Sequence, residues 1–481
     1  MIGFRPAHRA FFFAIVMLAE AVVLTGCQHY RPDPIDPSAT ANALDARSLD
    51  DPNLKSLLEA HLPNHLSAWP LPAWDFDALT LATFHFHPDL ELARLRWESA
   101  QAAVKTAGGR PNPVLAVTPG YSANPASGIS PWFPAVTLDV PLETAGKRQR
   151  RLEIAVHRAE EARLGLLNQA WQLRAKLRLA VIGYAAQWRR IRVLEDQASE
   201  QSALVRLLEQ RLDAGTLGLP EVTPARLTRL KFEADLAEAR TQLSAGKVML
   251  ASAIGVPFRA VESLRITADP LAGTRAEAGN LLASDARDRA LSRRADILAG
   301  LAAYATTEAE LHLEIAKQYP DVHFNPGYQF DQGEHKWSLG LSLELPVLNR
   351  NEGPIAEAHA RRREAAAAFL ALQANVIAEV DGAAQAYHAA TDQLDRLRSL
   401  RQASEAQIAA IQSAFQAGAA DRLELVSARL ETRATDVAIL EAEDRVNRAL
   451  GQLEQALQVP FGALEAVGRP PASKLLSERN P

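Results

Sequence analysis

The chain contains itself twice: the stretch from about Leu79 to Phe258 reappears from about Leu282 to Phe461. Asp89-Leu90 answers to Asp296-Ile297, Pro119-Gly120-Tyr121 to Pro326-Gly327-Tyr328, and Pro141 to Pro346. Ala214-Gly215 then answers to Ala417-Gly418, Glu221 to Glu424, Ala225-Arg226-Leu227 to Ala428-Arg429-Leu430, and Val256-Pro257-Phe258 to Val459-Pro460-Phe461. The offset drifts only from about 207 to about 203 residues, so insertions are small and the order never breaks. A period this long exceeds the roughly 20 to 50 residues of a solenoid repeat and marks a duplicated, domain-sized unit. Each copy reads as a helix, two short strands, then two helices.

This divides the chain into a leader (1–26), an N-terminal extension (27–73), repeat one (74–265), a linker (266–280), repeat two (281–461) and a tail (462–481). In the leader, Arg5 and Arg9 precede an apolar run from Ala10 to Leu24, which is too short for a membrane span and reads as an export signal. The run ends in Leu24-Thr25-Gly26-Cys27, which looks like a bacterial lipoprotein box, with cleavage before Cys27 freeing that thiol for acylation. Cys27 is the only cysteine of the chain, so the expected covalent group is a lipid on Cys27 and no disulfide forms. The Pro-rich residues 28–73 and the tail after Phe461 read as irregular. With 52 basic against 57 acidic residues, bulk charge excludes a nucleic-acid binder.

No later stretch offers the roughly 20 apolar residues of a membrane helix. If the chain crosses a membrane, strands must do it. Trp337 to Leu345 alternates apolar with small or polar residues, as does Val136 to Val140 in the first copy, a period of two that gives a strand two different faces. Val322, Phe324, Tyr328 and Phe330 share one face; His323, Asn325, Gln329 and Asp331 share the other. A soluble sandwich turns its apolar face inward and an outer-membrane barrel turns it to lipid, so alternation alone leaves both open. The strand pairs are joined by Ser122 to Pro134, which carries Trp132 and Phe133, and by a short turn near Gln332-Gly333.

Helices dominate the rest. Gly146 to Asp213 and Gly353 to Gln416 are rich in Ala, Leu, Glu, Gln and Arg with almost no breakers, which at the usual rise predicts helices of about 100 and 95 Å. Shorter helices near 78–107 and 220–255 are long enough, stacked end to end, to match one of them. Recurrent alanine lets helix axes approach closely. A soluble helical bundle with a surface hairpin fits these features too.

Chemistry is sparse. Gly146-Lys147-Arg148 lacks the upstream Gly and following Ser or Thr of a phosphate loop, and the basic run Lys147, Arg148, Arg150 and Arg151 reads as a solvated stripe or a lipid-headgroup contact. His61 and His65, and His85 and His87, are spaced to share an ion, yet neither pair has an evident carboxylate or thiolate to complete a site, so no metal site and no cofactor are expected. Beyond the leader the only methionine is Met249, which leaves no relay of soft ligands. No nucleophile and base stand at catalytic spacing, so an enzyme is not expected.

The lipobox, the twofold repeat, two strands per copy and one very long helix per copy together resemble the TolC-type outer-membrane efflux family, from about Trp74 to Phe461. Pro141-Leu142-Glu143-Thr144-Ala145-Gly146-Lys147-Arg148 and Leu345-Pro346-Val347-Leu348-Asn349-Arg350-Asn351-Glu352-Gly353 resemble the strand-to-helix junctions of its CzcC-like, heavy-metal-efflux branch. The resemblance implies a mainly α chain with a small membrane β-barrel. It implies a homotrimer with four strands per chain, a twelve-stranded barrel in the outer-membrane lipid and a helical tunnel in the periplasm. It further implies a passive duct working with a periplasmic adaptor and an inner-membrane RND-type transporter, carrying divalent metal cations or, alternatively, drugs and other small molecules. A lipid-anchored periplasmic coiled-coil adaptor is the rival of another class.

By the same resemblance, the helix-to-helix turns at Gly215 and Gly418 lie at the periplasmic tip, and Glu221 and Glu424, each six residues on, become a candidate gate. Ser427 stands where some relatives have a second acid. An acid in the first turn of a helix, as Glu221 is directly after Pro220, is also what the helix dipole favours, so both readings of the glutamates stay open.

Overall fold

The computed structural model describes residues 29–62, 68–267 and 286–461. Cys27, the leader, His65, most of the linker and the tail lie outside the described residues. Among the described residues, those up to Ala46 belong to one compact unit and those from Arg47 onward to another. The first holds helix α1 (Pro37–Asp45), and the second opens with α2 (Pro52–His61). The extension is therefore helical in part rather than irregular. Asp36 and Asp51 each accept a backbone N–H as N-cap, with a proline at the first helical position, a pairing of start signals that composition alone conceals.

Repeat one runs α3 (Phe76–Phe86), α4 (Pro88–Ala107), β1 (Val114–Thr118), β2 (Ala135–Leu142), α5 (Lys147–Asp213) and α6 (Leu219–Ile254). Repeat two runs α7 (Ala286–Arg293), α8 (Ala295–Ala316), β3 (Val322–Asp331), β4 (Glu334–Leu343), α9 (Glu352–Gln416) and α10 (Arg422–Leu457). The long helices α5 and α9 have 67 and 65 residues, about 100 Å each. Where one helix near 78–107 is expected there are two, because Pro88 lacks an N–H and its ring would meet the carbonyl of Phe84. The chain stops at Phe86 and restarts with His87 as N-cap. Repeat two breaks at the equivalent Arg294 without a proline.

These breaks let the short helices stack end to end. Gly255, at the C-terminus of α6, has φ +86°, and a Cβ there would lie 2.8 Å from the Cα of His87 at the start of α4, so two helix ends abut. Arg47 donates to the carbonyls of both Phe86 (2.6 Å) and Gly255 (2.8 Å), bridging the joint. In repeat two Arg294 donates to the Ala456 carbonyl at 2.8 Å, and the side-chain oxygen of Gln458 accepts from the Ala295 amide at 2.7 Å.

One apolar core lies beside each joint. Leu54 and Leu58 of α2, Leu79 and Leu81 of α3, Leu177, Val181 and Ile182 of α5, and Leu250 and Ile254 of α6 form the first. Val376 and Val380 of α9, Val446, Leu450 and Leu453 of α10, Ile297 and Phe461 form the second. Each such fully buried aliphatic side chain contributes about 1.5–3 kcal/mol. Among the described residues no helix is long and apolar enough to cross a membrane.

Candidate functional site

The four strands form one antiparallel sheet in the order β1-β2-β3-β4, so the two copies meet where β2 pairs with β3. The register sorts side chains into two unlike faces. Leu339, opposite Pro326, continues the row of Leu138 and Leu115; Leu341, Phe324 and Val140 share the same face, as do Leu343, Val322 and Leu142. The other face carries Thr137, Asp139, His323, Asn325, Gln329, Ser338, Gly340 and Ser342. The apolar face is uncovered: Trp337 is 80 % exposed and Leu339 72 %. A contiguous apolar surface of this kind demands a partner or lipid. Among the described residues β1 and β4 each leave one edge unpaired, which also demands continuation.

Aromatic side chains gather at the loop end of the sheet. Tyr121 bridges to Trp132 with their rings 5.0 Å apart, and Tyr328 packs on Trp337 at 4.9 Å. Amphipathic rings in a band beside the turns are what a membrane–water interface favours.

At the opposite end, the phrase from Glu143 to Arg151 builds a corner. Ala145 and Gly146 have φ 55° and 71°, turning the chain from β2 into α5. The basic run there is neither a solvated stripe nor a free headgroup site. Lys147 is buried and donates to Asp321 at 2.8 Å, Arg148 donates to the Gly108 carbonyl at 2.7 Å, Arg150 pairs with Glu153, and Arg151 pairs with both oxygens of Glu143. Asp321 also accepts from the Thr144 amide at 2.9 Å. Burial works against its charge, but Lys147 and that amide outweigh it and hold the carboxyl below its ordinary range.

At the far ends of α5 and α9 the two turns are geometric copies. Gly215 and Gly418 have φ +69° and +73°. The amides of Thr216 and Ala419 reach back to the carbonyls of Arg211 and Ala414, and those of Gly215 and Gly418 to Leu212 and Phe415, the double closure of a Schellman turn. Open space surrounds both glycines, so only backbone strain opposes a side chain there. Gly418→Ala is expected to cost about 1–2 kcal/mol, read as a lowered unfolding midpoint. An unchanged midpoint would mean that the turn relaxes.

The two glutamates differ. Gly218, the N-cap of α6, has no side chain, and the Glu221 carboxylate reaches back to accept from its amide. The equivalent N-cap in repeat two is Asp421, which caps the Leu423 amide itself and pairs with Arg211 of repeat one. Arg211 first, then that amide, hold the Asp421 carboxyl below its ordinary range. Glu424 is exposed and has no hydrogen bond or ion pair among the described residues. The Arg211–Asp421 pair, with Leu423 packed against Val205, Leu208 and Val222, brings the two tips side by side.

His61, His85 and His87 each have other partners, and His65 lies outside the described residues. His87 is buried, its Nδ1 accepts from the Asp89 amide at 3.2 Å, and burial lowers its pKa. His85 Nε2 stands 3.7 Å from Asp51, and His61 Nδ1 is bonded to the Leu57 carbonyl at 3.0 Å. Among the described residues no three His, Cys, Asp or Glu side chains come together to enclose a metal ion.

One polar cluster escaped the sequence reasoning. Arg174 and Arg178 of α5 are buried with Glu454 of α10 and Asp77 of α3. Arg174 Nη2 lies 3.0 Å from Glu454 Oε1, and the Phe461 amide donates to the same oxygen at 2.9 Å. Arg178 Nη2 lies 2.5 Å from Glu454 Oε2, an ion pair at contact distance. Both guanidiniums stack on the Phe76 ring at 4.6 and 4.4 Å. Burial pulls the Arg178 guanidinium down from its ordinary pKa, with Glu454 opposing. The cluster fastens the long helix of repeat one to the last helix of repeat two.

A family model described as "Outer membrane efflux protein" matches residues 85–256 and 286–458. The cobalt-zinc-cadmium resistance protein CzcC of Cupriavidus metallidurans is 23 % identical over 236 residues, covering 49 % of this chain and 55 % of the relative, so the chain spans about half the length of the curated relative it matches. The solved structure of CusC superposes with a TM-score of 0.65 at 16 % identity, covering 80 % of this chain and 92 % of that one. The outer membrane protein VceC of Vibrio cholerae gives 0.63 at 19 % identity, with 80 % and 97 % covered.

Proposed function

Because the chain belongs to the outer membrane efflux protein family, we propose that three copies form the passive exit duct of a tripartite pump. The uncovered apolar face of a sheet with two open edges carries this reading. Four strands cannot close alone, and an eight-stranded dimer would fill its own interior with side chains, whereas three copies make twelve strands around an open lumen. The apolar face then meets lipid, the polar face lines water, and the long helices continue the passage into the periplasm. An RND-type transporter of the inner membrane supplies the energy through a periplasmic adaptor, and the chain itself does no catalysis. The rival adaptor reading leaves the exposed sheet without an environment. Reconstitution into planar bilayers tests the proposal: stepwise ion conductance and a detergent-resistant trimer are expected, and a monomer without conductance overturns it.

Divalent heavy-metal cations are the proposed cargo, supported by the name of the Cupriavidus metallidurans relative; drugs are the alternative. A deletion strain should lose growth on cobalt, zinc or cadmium. Sensitivity to drugs alone would transfer the duct to the alternative. Cys27 is the proposed lipid anchor, and Cys27→Ser should abolish palmitate labelling; continued labelling of that variant removes the anchor.

The gate proposal narrows to Glu424, whose carboxylate is not engaged, while Glu221 serves its own helix end. Three copies would bring three Glu424 carboxylates to the tip. Glu424→Gln should reduce cation selectivity with unchanged stability, whereas Glu221→Gln should lower stability by about 0.3–1 kcal/mol with unchanged selectivity. Equal selectivity in both variants and the parent sinks the gate.

A further inference from the structure

The polar face of the sheet holds one imidazole presented as a ligand. His323 of β3 and Asp139 of β2 sit on neighbouring inner strands, diagonal to each other beside the Pro141–His323 pair. The Nδ1 of His323 lies 3.0 and 3.2 Å from the two carboxylate oxygens of Asp139. An ionised carboxylate only accepts, so Nδ1 carries a proton, and in the neutral ring Nε2 is the nitrogen with a lone pair. Among the described residues Nε2 has no hydrogen-bond partner, and the two side chains are 41 % and 38 % exposed. Asn325, two residues on along the same face, is held by its amide against Ser342 at 3.1 Å, so the surroundings are polar.

A carboxylate on one ring nitrogen fixes the tautomer, orients the ring and raises the basicity of the other nitrogen, which is how histidines are prepared for metal binding. Imidazole nitrogen suits borderline divalent cations such as zinc, and a single protein ligand completed by water binds weakly. Weakness fits a passage, where an ion must leave as readily as it arrives. Both strands are interior to the sheet of one chain, so the pair is complete without a second copy. We infer that His323 is a divalent-cation ligand on the polar face, with Asp139 as its orienting carboxylate. That the site lies on a transit route rests on the conduit reading above.

Two measurements on the full-length protein separate the two ideas. In equilibrium dialysis of detergent-solubilised protein against Zn2+, His323→Gln should bind one weak ion fewer per chain, and Asp139→Asn should weaken that ion about 10- to 100-fold. An unchanged count in His323→Gln overturns the site. Loss of the ion in Asp139→Asn but not in His323→Gln overturns it as well, because the carboxylate would then be the ligand. Gln keeps a group able to bond Asp139, and equal unfolding midpoints exclude misfolding as the cause. In planar bilayers, Zn2+ should reduce the potassium current of the parent and not that of His323→Gln. An ion lost in dialysis with no potassium current in the parent leaves the site standing and removes the conduit.

Discussion

Glu454→Ala is expected to destabilise the folded chain by about 3–5 kcal/mol, because it strands two buried arginines around an empty place. Arg174 and Arg178 share this one carboxylate in the buried cluster; Asp77 stands 3.7 Å from Arg174, too far to replace it. The Phe461 amide would lose its acceptor in the same step. Opposite charges in this setting hold each other at a large desolvation cost, so the net worth of the cluster is small while the cost of breaking it is large. The control follows from that asymmetry. Replacing Arg174, Arg178 and Glu454 together by Met, Met and Leu should cost less than Glu454→Ala alone, since both buried cations leave with their shared carboxylate and only Asp77, 12 % exposed, keeps a charge there. Urea unfolding followed by circular dichroism reads both. A triple variant as unstable as Glu454→Ala would show that the cluster stabilises outright.

This cluster also marks where the sequence stopped being legible. Arg174, Lys176 and Arg178 look like a solvated basic stripe on an arginine-rich helix, and their partner lies 280 residues from Arg174. Nothing local distinguishes a buried arginine from an exposed one when the burying element comes from the other repeat. The long helices and the two-faced strands were legible because each rests on local periodicity, and the repeat units because the two copies align landmark by landmark. The break at His87-Pro88 is written in the proline, whereas the matching break at Arg294 is not, since contacts to Asp296, Glu379 and the Ala456 carbonyl accompany it. The helices of the extension were signalled by Asp36-Pro37 and Asp51-Pro52, a capping pattern hidden behind a Pro-rich composition.

The two helix-to-helix turns were legible in position, whereas the different surroundings of Glu221 and Glu424 were not. Alignment of the copies places Glu221 with Glu424, and by the same offset Gly218 with Asp421. A glycine N-cap must borrow a side chain from the next turn, and an aspartate need not. That single difference assigns the Glu221 carboxylate to its helix and leaves the Glu424 carboxylate outward. The signal was present in the residue three places before each glutamate.

Leu339→Arg is expected to cost assembly about 2–4 kcal/mol, the penalty for a cation on the lipid face near the middle of a bilayer. Leu339 occupies the central row of the uncovered face, with Pro326, Leu138 and Leu115 beside it across the sheet. Moving outward, Leu343 pairs with Val322 at the end of the sheet nearest the helices, where an arginine can reach headgroups, so Leu343→Arg should cost about 0–1 kcal/mol. Ser338→Arg, one residue from Leu339 but on the polar face opposite Gly327, should be tolerated because its side chain meets water. Trimer yield from outer-membrane fractions, with unfolding of the recovered protein, reads all three. The diagnostic is the gradient with depth together with the reversal between adjacent residues. A face buried against another protein would reject arginine at Leu339 and Leu343 alike, and a merely solvated hairpin would accept it everywhere. Either pattern would remove the membrane barrel, and with it the duct.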